Sequence, residues 1–203
     1  MDATVSLRTE RLVLREFVET DWEAVHAYAS DYHVVRFMAW GPNTVGETKA
    51  FVAKAIARQA ERPRTHYDLA IVLRAEGRLI GACGLVVGSG EHQEGRIGYC
   101  LRREAWGHGY ATEAAQALLA LGFEQLGLHR IFATCDAANG ASARVMEKAG
   151  MLPEGCLREH RMIKGCWRDS LVYALLAREW DRLQTAGIPC PTPRRRKAAC
   201  APA

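Results

Sequence analysis

Between Arg96 and Phe123 the hydrophobic period of the chain switches from two to 3.6, and this stretch limits the fold more than any other. Arg96-Ile97-Gly98-Tyr99-Cys100-Leu101 alternates as a half-buried strand does, whereas Ala111, Ala114, Ala115, Leu118, Leu119, Gly122 and Phe123 recur at helical spacing. Between them lies a turn broken by Gly107 and Gly109. A strand that hands over to a helix through glycines sets a helix N-terminus beside a strand end. The first N–H groups of that helix have no helical carbonyl to reach, and the positive end of its dipole faces outward. Such a corner suits an anion, above all a pyrophosphate. Glycine allows left-handed backbone angles and a close approach of the anion to the amides. No Lys-Ser or Lys-Thr follows the glycines, which excludes a P-loop NTPase, and Thr112 stands where a dinucleotide fingerprint needs its third glycine.

Trp106-Gly107-His108-Gly109-Tyr110-Ala111-Thr112-Glu113-Ala114 resembles the acetyl-CoA-binding signature of the GNAT superfamily of N-acetyltransferases, in the form of its RimJ/RimL-like branch. Four further motifs fit in order: Leu7-Arg8-Thr9-Glu10-Arg11-Leu12-Val13-Leu14-Arg15, Ile97-Gly98-Tyr99, the run from Asn139 through Ser142, Val145, Glu147 and Lys148 to Gly150, and Gly165-x-Trp167-x-Asp169. The likeness spans roughly residues 5 to 180. Glu104 departs from the more general GNAT pattern, which carries Gln or Arg three residues before the first glycine. The resemblance implies one α/β (mixed α+β) domain over 5–183, with acetyl-CoA as cofactor and no metal. It also implies an amine acceptor, either a small molecule or a protein N-terminus, and a tendency to pair as homodimers.

The rest of the chain supplies the elements such a domain needs. Residues 5 to 18 read as a first strand with a hairpin-like entry. Thr20-x-x-Glu23 and Thr44-x-x-Glu47 have the form of capping boxes opening two helices, and Tyr32 to Asn43 reads as the loop between them. Strands follow from Tyr67 to Arg74 and Arg78 to Val87 around a three-residue turn ending in Gly77. Arg130 to Cys135 forms a strand parallel to the one before the glycine turn, because a helix crosses between them. Asn139 caps the next helix and Gly150 ends it; two strands complete the chain, about Cys156 to Ile163 and Trp167 to Leu176. The order βααβββαβαββ predicts a central mixed, twisted sheet of about seven strands flanked by four helices. In the fold that the resemblance implies, the two central parallel strands splay apart and the pantetheine arm of the cofactor enters between them.

Composition sets bounds on the surroundings. The net charge of +4 equals the contribution of Arg194, Arg195, Arg196 and Lys197 in a Pro- and Arg-rich tail, residues 187–203, that reads as disordered. The body is thus formally neutral, which argues against a specific nucleic-acid partner, and the tail alone is the basis for a ribosome- or RNA-associated alternative. No apolar run is long enough to span a membrane, and Met1-Asp2-Ala3-Thr4 lacks a signal-peptide start, so the expected location is cytoplasmic. Seven cysteines, never spaced Cys-x-x-Cys, read as small buried hydrophobes in a reducing compartment rather than as disulfides or a zinc site.

Acetyl transfer needs donors for the carbonyl, an amine without its proton and a proton for the leaving thiolate. A backbone N–H near Cys100 or Leu101 is the candidate for the carbonyl. The amides of Trp106, Gly107, His108, Gly109, Tyr110, Ala111 and Thr112, flanked by Arg102 and Arg103, are the candidates for the pyrophosphate. The same two arginines read equally as a solvated charge pair. Many members of the family resembled carry a tyrosine where this chain has Met146, which cannot donate a proton. Ser142, one helical turn earlier, then takes the thiol-facing role, or else simply helps Asn139 finish the helix start. Asn139 is also a candidate partner of a pantetheine amide. For the base, Glu159 and His160 lie on opposite faces of a strand, with Arg161 on the side of Glu159; Glu94 and Tyr99 compete, and Tyr173 is an alternative acid. Because Met146 replaces the tyrosine, a catalytically silent acyl-CoA-binding module is the alternative reading.

Overall fold

The computed structural model of the chain describes residues 5–88 and 90–186, so the expected tail lies outside the described residues. Eight strands form one sheet in the order β1-β2-β3-β4-β5-β6-β8-β7. They are β1 (Ser6–Arg8), β2 (Leu12–Glu16), β3 (His66–Leu73), β4 (Leu79–Val87), β5 (Glu94–Leu101), β6 (Arg130–Asp136), β7 (Leu152–Ile163) and β8 (Cys166–Leu176). Neighbours run antiparallel except β5 and β6, which are parallel. The helices are α1 (Trp22–Ala29), α2 (Tyr32–Val35), α3 (Val45–Gln59), α4 (Tyr110–Ala120), α5 (Gly140–Lys148) and α6 (Ala177–Ala186).

Period two along the strands builds two cores. Leu69, Ile71 and Leu73 of β3 point into a core shared with Leu118 and Leu119 of α4, Met146 of α5 and Trp180 of α6. The intervening Ala70 and Val72 point the other way, against Val25 and Tyr28 of α1 and Val52 of α3. The sheet is therefore covered on both sides, the mixed α/β single-sheet architecture that the sequence predicts.

Three details differ from expectation. The first strand and its hairpin-like entry are two strands, β1 and β2, because Thr9 turns the chain: its N–H donates to the Leu12 carbonyl at 3.0 Å and its Oγ1 accepts from the Leu12 N–H at 3.0 Å. Two helices beyond the expected four are present. The Asp31 carboxylate accepts from the His33 N–H at 2.8 Å and starts α2 inside the expected loop, while Trp180 stacks on Phe123 and donates its indole N–H to Glu124, docking α6. Finally, the Thr20 capping box does not form. Asp21 takes over that end of the chain, accepting from the Val18 N–H at 2.9 Å and pairing through both oxygens with Arg15. The Thr44 and Glu47 box does form, with reciprocal bonds of 3.3 and 2.8 Å.

Gly81 is the tightest point between β4 and β5. A Cβ there would stand 2.2 Å from the Cys100 carbonyl oxygen and 2.9 Å from the Leu101 Cα, both backbone atoms with little freedom to yield. Gly81→Ala should therefore lower the free energy of unfolding by about 2 kcal/mol, measured by urea denaturation.

Candidate active site

β5 and β6 pair only where Glu94, Gly95 and Arg96 face Arg130, Ile131 and Phe132; beyond that the two strands part. The ladder with β4 fixes which backbone groups the parting leaves open. The Arg102 N–H donates to the Ile80 carbonyl and the Gly88 N–H to the Glu94 carbonyl, both at 2.8 Å. In an antiparallel ladder this alternation commits the even-numbered residues of β5, Cys100 included, to β4. Beyond the last paired residues, Arg96 and Phe132, the odd-numbered Tyr99 and Leu101 turn their N–H groups toward the gap, where no strand among the described residues takes them. Of the two residues considered for the carbonyl donor, Leu101 thus has the open amide and Cys100 does not. The Leu101 carbonyl is covered by the Trp106 indole N–H at 2.9 Å.

At the glycine turn, Gly107 and Gly109 both adopt left-handed angles, φ 80° and 81°. The N–H groups of Gly107, His108, Gly109, Tyr110, Ala111 and Thr112 meet no acceptor among the described residues, and intrahelical bonding begins with the Glu113 N–H on the Gly109 carbonyl at 3.1 Å. A row of free amides at the start of α4 results. The turn is held from outside by the β1–β2 corner. Glu113 accepts from the Thr9 hydroxyl at 2.6 Å, from the Arg11 N–H at 2.8 Å and from the Arg11 guanidinium at 2.7 Å, while Arg11 also donates to the His108 carbonyl at 2.9 Å and lies over the Tyr110 ring. Burial raises the Glu113 carboxyl, but its bonds to Thr9 and Arg11 outweigh that and hold it below its ordinary value.

Two cavities meet at the parting of the strands. One, of about 350 Å³, lies over the glycine turn and is bordered by Trp106, Gly107, Gly109, Tyr110, Ala111 and Thr112. The other, of about 500 Å³, lies toward α1 and α3 and has Phe17, Tyr28, Phe37, Trp40 and Phe51 in its wall. Tyr99, Cys100, Asn139 and Ser142 border both. The Asn139 side chain accepts from the Ser142 N–H at 3.2 Å, so its capping role leaves its amide group at the junction. The Ser142 Oγ lies 3.0 Å from the Tyr99 hydroxyl, which also donates to the Ser142 carbonyl at 3.0 Å. Burial raises the Tyr99 phenol well above its ordinary value, the bond to Ser142 opposing.

The remaining expected site residues are placed elsewhere. Arg102 turns to Glu104 at 2.9 Å and Arg103 is exposed; the cations beside the smaller cavity are instead Arg36, Arg144 and Lys148, with His33 beside them. His108 stacks on Tyr110 and offers the turn only its backbone. Glu159 and His160 border neither cavity. The pairing of β7 with β8 slips between Leu157 and Arg161, so Glu159 sits on a bulge at φ 46° with its N–H bonded to Asp169, and of these three residues only Arg161 reaches the cavity wall. Strict alternation had put Glu159 and Arg161 together; the bulge breaks it. Tyr173 is buried beneath α5, donating to Glu147 at 3.1 Å, and burial with that carboxylate pushes its phenol up to about 12. Glu94 is ion-paired with Arg130 at the closed end of the strand pair. Burial pushes the Cys100 thiol up to about 12 and the Cys135 thiol up to about 11, which removes either as a nucleophile. The cationic border and the Tyr99–Ser142 contact are what sequence reasoning missed. A basic i, i+4 spacing of Arg144 and Lys148 was the available signal for the first.

The family described as acetyltransferase (GNAT) domain matches residues 11–152. The uncharacterized N-acetyltransferase YnaD of Bacillus subtilis (strain 168) is 39% identical over 175 residues, spanning 86% of this chain and 99% of that protein. A solved acetyltransferase (GNAT family) from Bacillus anthracis is 37% identical with a TM-score of 0.77, covering 86% of this chain and 99% of that one. At 25% identity over 183 residues, the ribosomal protein uS5-alanine N-acetyltransferase of Escherichia coli (strain K12) covers 87% of this chain and 93% of its own length.

The lowered carboxyl of Glu113 has a definite sign in its effect on stability. Its stabilisation is present above the unfolded pKa of about 4.3 and is lost as pH falls through the lower folded value. Glu113→Gln should thus be less stable than the parent chain by about 1 kcal/mol near neutral pH, and the difference should shrink as the pH drops below about 4, followed by urea denaturation across pH.

Proposed function

The chain belongs to the GNAT family of acetyltransferases, and on that premise we propose that it transfers acetyl directly from acetyl-CoA to a primary amine within a ternary complex. The observation that carries this reading is the row of free amides at the start of α4 opening into the same gap as the free strand amides of β5. The amides from Gly107 to Thr112 bind the pyrophosphate, with Arg36, Arg144 and Lys148 adding positive charge at the border. The Tyr99 and Leu101 backbone at the open edge of β5 and the Asn139 side chain would hold a pantetheine arm. The Leu101 N–H would stabilise the charge that develops on a thioester carbonyl.

The amine enters through the larger cavity. Its aromatic wall strips water from an ammonium group and favours the neutral, nucleophilic form. The two carboxylates in that wall, Asp68 and Asp136, are each tied to an arginine, Asp68 to Arg58 at 3.0 Å and Asp136 to Arg168 at 2.7 Å. Deprotonation therefore runs through water rather than a dedicated carboxylate, which suits a weakly basic amine. As the C–N bond forms and the C–S bond breaks, the leaving sulfur takes its proton from Ser142, which regains one through the Tyr99 hydroxyl at 3.0 Å from the proton that the amine has released to the cavity water. This pair supplies what Met146 cannot. Cys83, Cys100, Cys135 and Cys166 form no disulfide, in keeping with a reducing, cytoplasmic setting; no helix among the described residues is long and apolar enough to cross a membrane.

Incubation with acetyl-CoA and a panel of amines, following free thiol, should show release that depends on the acceptor; release independent of any amine would count against direct transfer. Ser142→Ala should lower kcat about 100-fold with KM for acetyl-CoA within about threefold of the parent. Because burial keeps the Tyr99 phenol protonated past its ordinary value of about 10, the rate should rise with pH as the amine loses its proton and show no descending limb below about pH 10.

A further inference from the structure

Charge in the larger cavity is uneven in a way that bears on the acceptor. Asp68 and Asp136 are neutralised by Arg58 and Arg168, neither of which borders the cavity. Arg96 on β5, which is exposed, and half-buried Arg161 on β7 also border it, and neither guanidinium has a carboxylate or hydrogen-bond partner among the described residues. An apolar, aromatic chamber that keeps two uncommitted guanidiniums is matched by a ligand with an apolar body and an anionic group, since a guanidinium binds a carboxylate with paired, charge-assisted bonds.

The chamber is also closed on one side. At the β7–β8 turn the Lys164 ammonium donates to the carbonyls of Met38, Trp40 and Gly41, at 3.3, 3.2 and 2.7 Å, and ties the segment between α2 and α3 to the hairpin. Phe37, Met38 and Trp40 of that tied segment form part of the cavity wall. A volume of about 500 Å³ behind such a rim fits a small molecule better than the end of a folded protein.

We propose that the acceptor is a small aromatic or apolar amine that also carries a carboxylate, of the α-amino acid type, with the carboxylate seated on Arg96 and Arg161 and the amine directed at the strand gap. This rests on the larger cavity being the acceptor chamber of the acetyl transfer described above. The acetyl carbon passes from sulfur to the amine nitrogen, the C–S bond breaking as the C–N bond forms, and the proton lost by nitrogen is balanced by the one gained by the thiol.

The test compares matched pairs under acetyl-CoA, with thiol release as the readout: L-phenylalanine against phenethylamine and L-tryptophan against tryptamine, with a neutral peptide bearing an N-terminal phenylalanine as a further probe. The carboxylated member of each pair should show kcat/KM higher by about tenfold or more. Arg161→Gln and Arg96→Gln should each erase most of that preference, Arg161→Lys should restore part of it, and turnover of phenethylamine should stay within about twofold of the parent. Equal turnover within each pair would overturn the carboxylate site while leaving acetyl transfer intact. Equal losses for both members in the arginine variants, or turnover of the peptide alone, would overturn it as well. Thiol release that ignores every amine would instead remove the transfer reading beneath it.

Discussion

The separation of β5 from β6 after a short stretch of pairing is the constraint on which the site depends. Parallel neighbours in the middle of a sheet ordinarily satisfy each other's backbone, and a buried amide left without a partner costs about 1–3 kcal/mol. Here the open edge is kept apart by specific braces. α5 begins directly after β6, and the contact of Tyr99 with Ser142 wedges its first turn against β5. At the end of β6, Asp136 accepts from the Ala138 N–H at 2.8 Å and from Arg168 of β8, so that strand cannot swing back. At the closed end Arg130 joins Glu94 and Glu154. The gap is a held geometry with ion pairs at both ends.

Around it the sheet separates two tasks. The side covered by α4 and α5 carries the glycine turn, the free amides and the Arg144 and Lys148 part of the basic border. The side covered by α1 and α3 carries the aromatic chamber. Each is anchored by a long-range tie from elsewhere in the chain: Thr9 and Arg11 reach Glu113 on the first side, and Lys164 reaches the segment between α2 and α3 on the second. Neither tie is local in sequence, yet each fixes a loop whose own residues are too irregular to hold a shape alone.

How much of this was legible in the amino acids depended on the range of the cause. The strand, glycine turn and helix of residues 96–123 could be read because each signal is local: alternation, positive φ and helical spacing. The parting of the parallel strands followed from the family resembled, not from periodicity. The bulge that displaces Glu159 and His160 was not legible, since an added residue in a strand leaves the same composition as a regular one, and the run Glu159-His160-Arg161 carries no apolar pattern to betray it. α2 hid in what read as a loop because a single turn is too short to show a period. The Thr20 box failed for a different reason. Asp21 was claimed by Arg15 of the preceding strand, a tertiary partner that outcompeted the local cap. The pairing of Arg102 with Glu104 was within reach of the sequence, while the cations that border the smaller cavity come from segments distant along the chain: Arg36 just after α2, and Arg144 and Lys148 on α5.

Gly98 lies on the even-numbered side of β5, in the wall of the larger cavity, with open space where a Cβ would stand. Its neighbours Ile97 and Tyr99 pack their side chains into the core on the opposite layer, though both also touch that cavity. Gly98 is thus the position of β5 where a side chain could be added into the larger cavity without displacing a neighbour. If that cavity receives the acceptor as proposed, a single replacement there would narrow it while leaving the glycine turn at the start of α4 untouched.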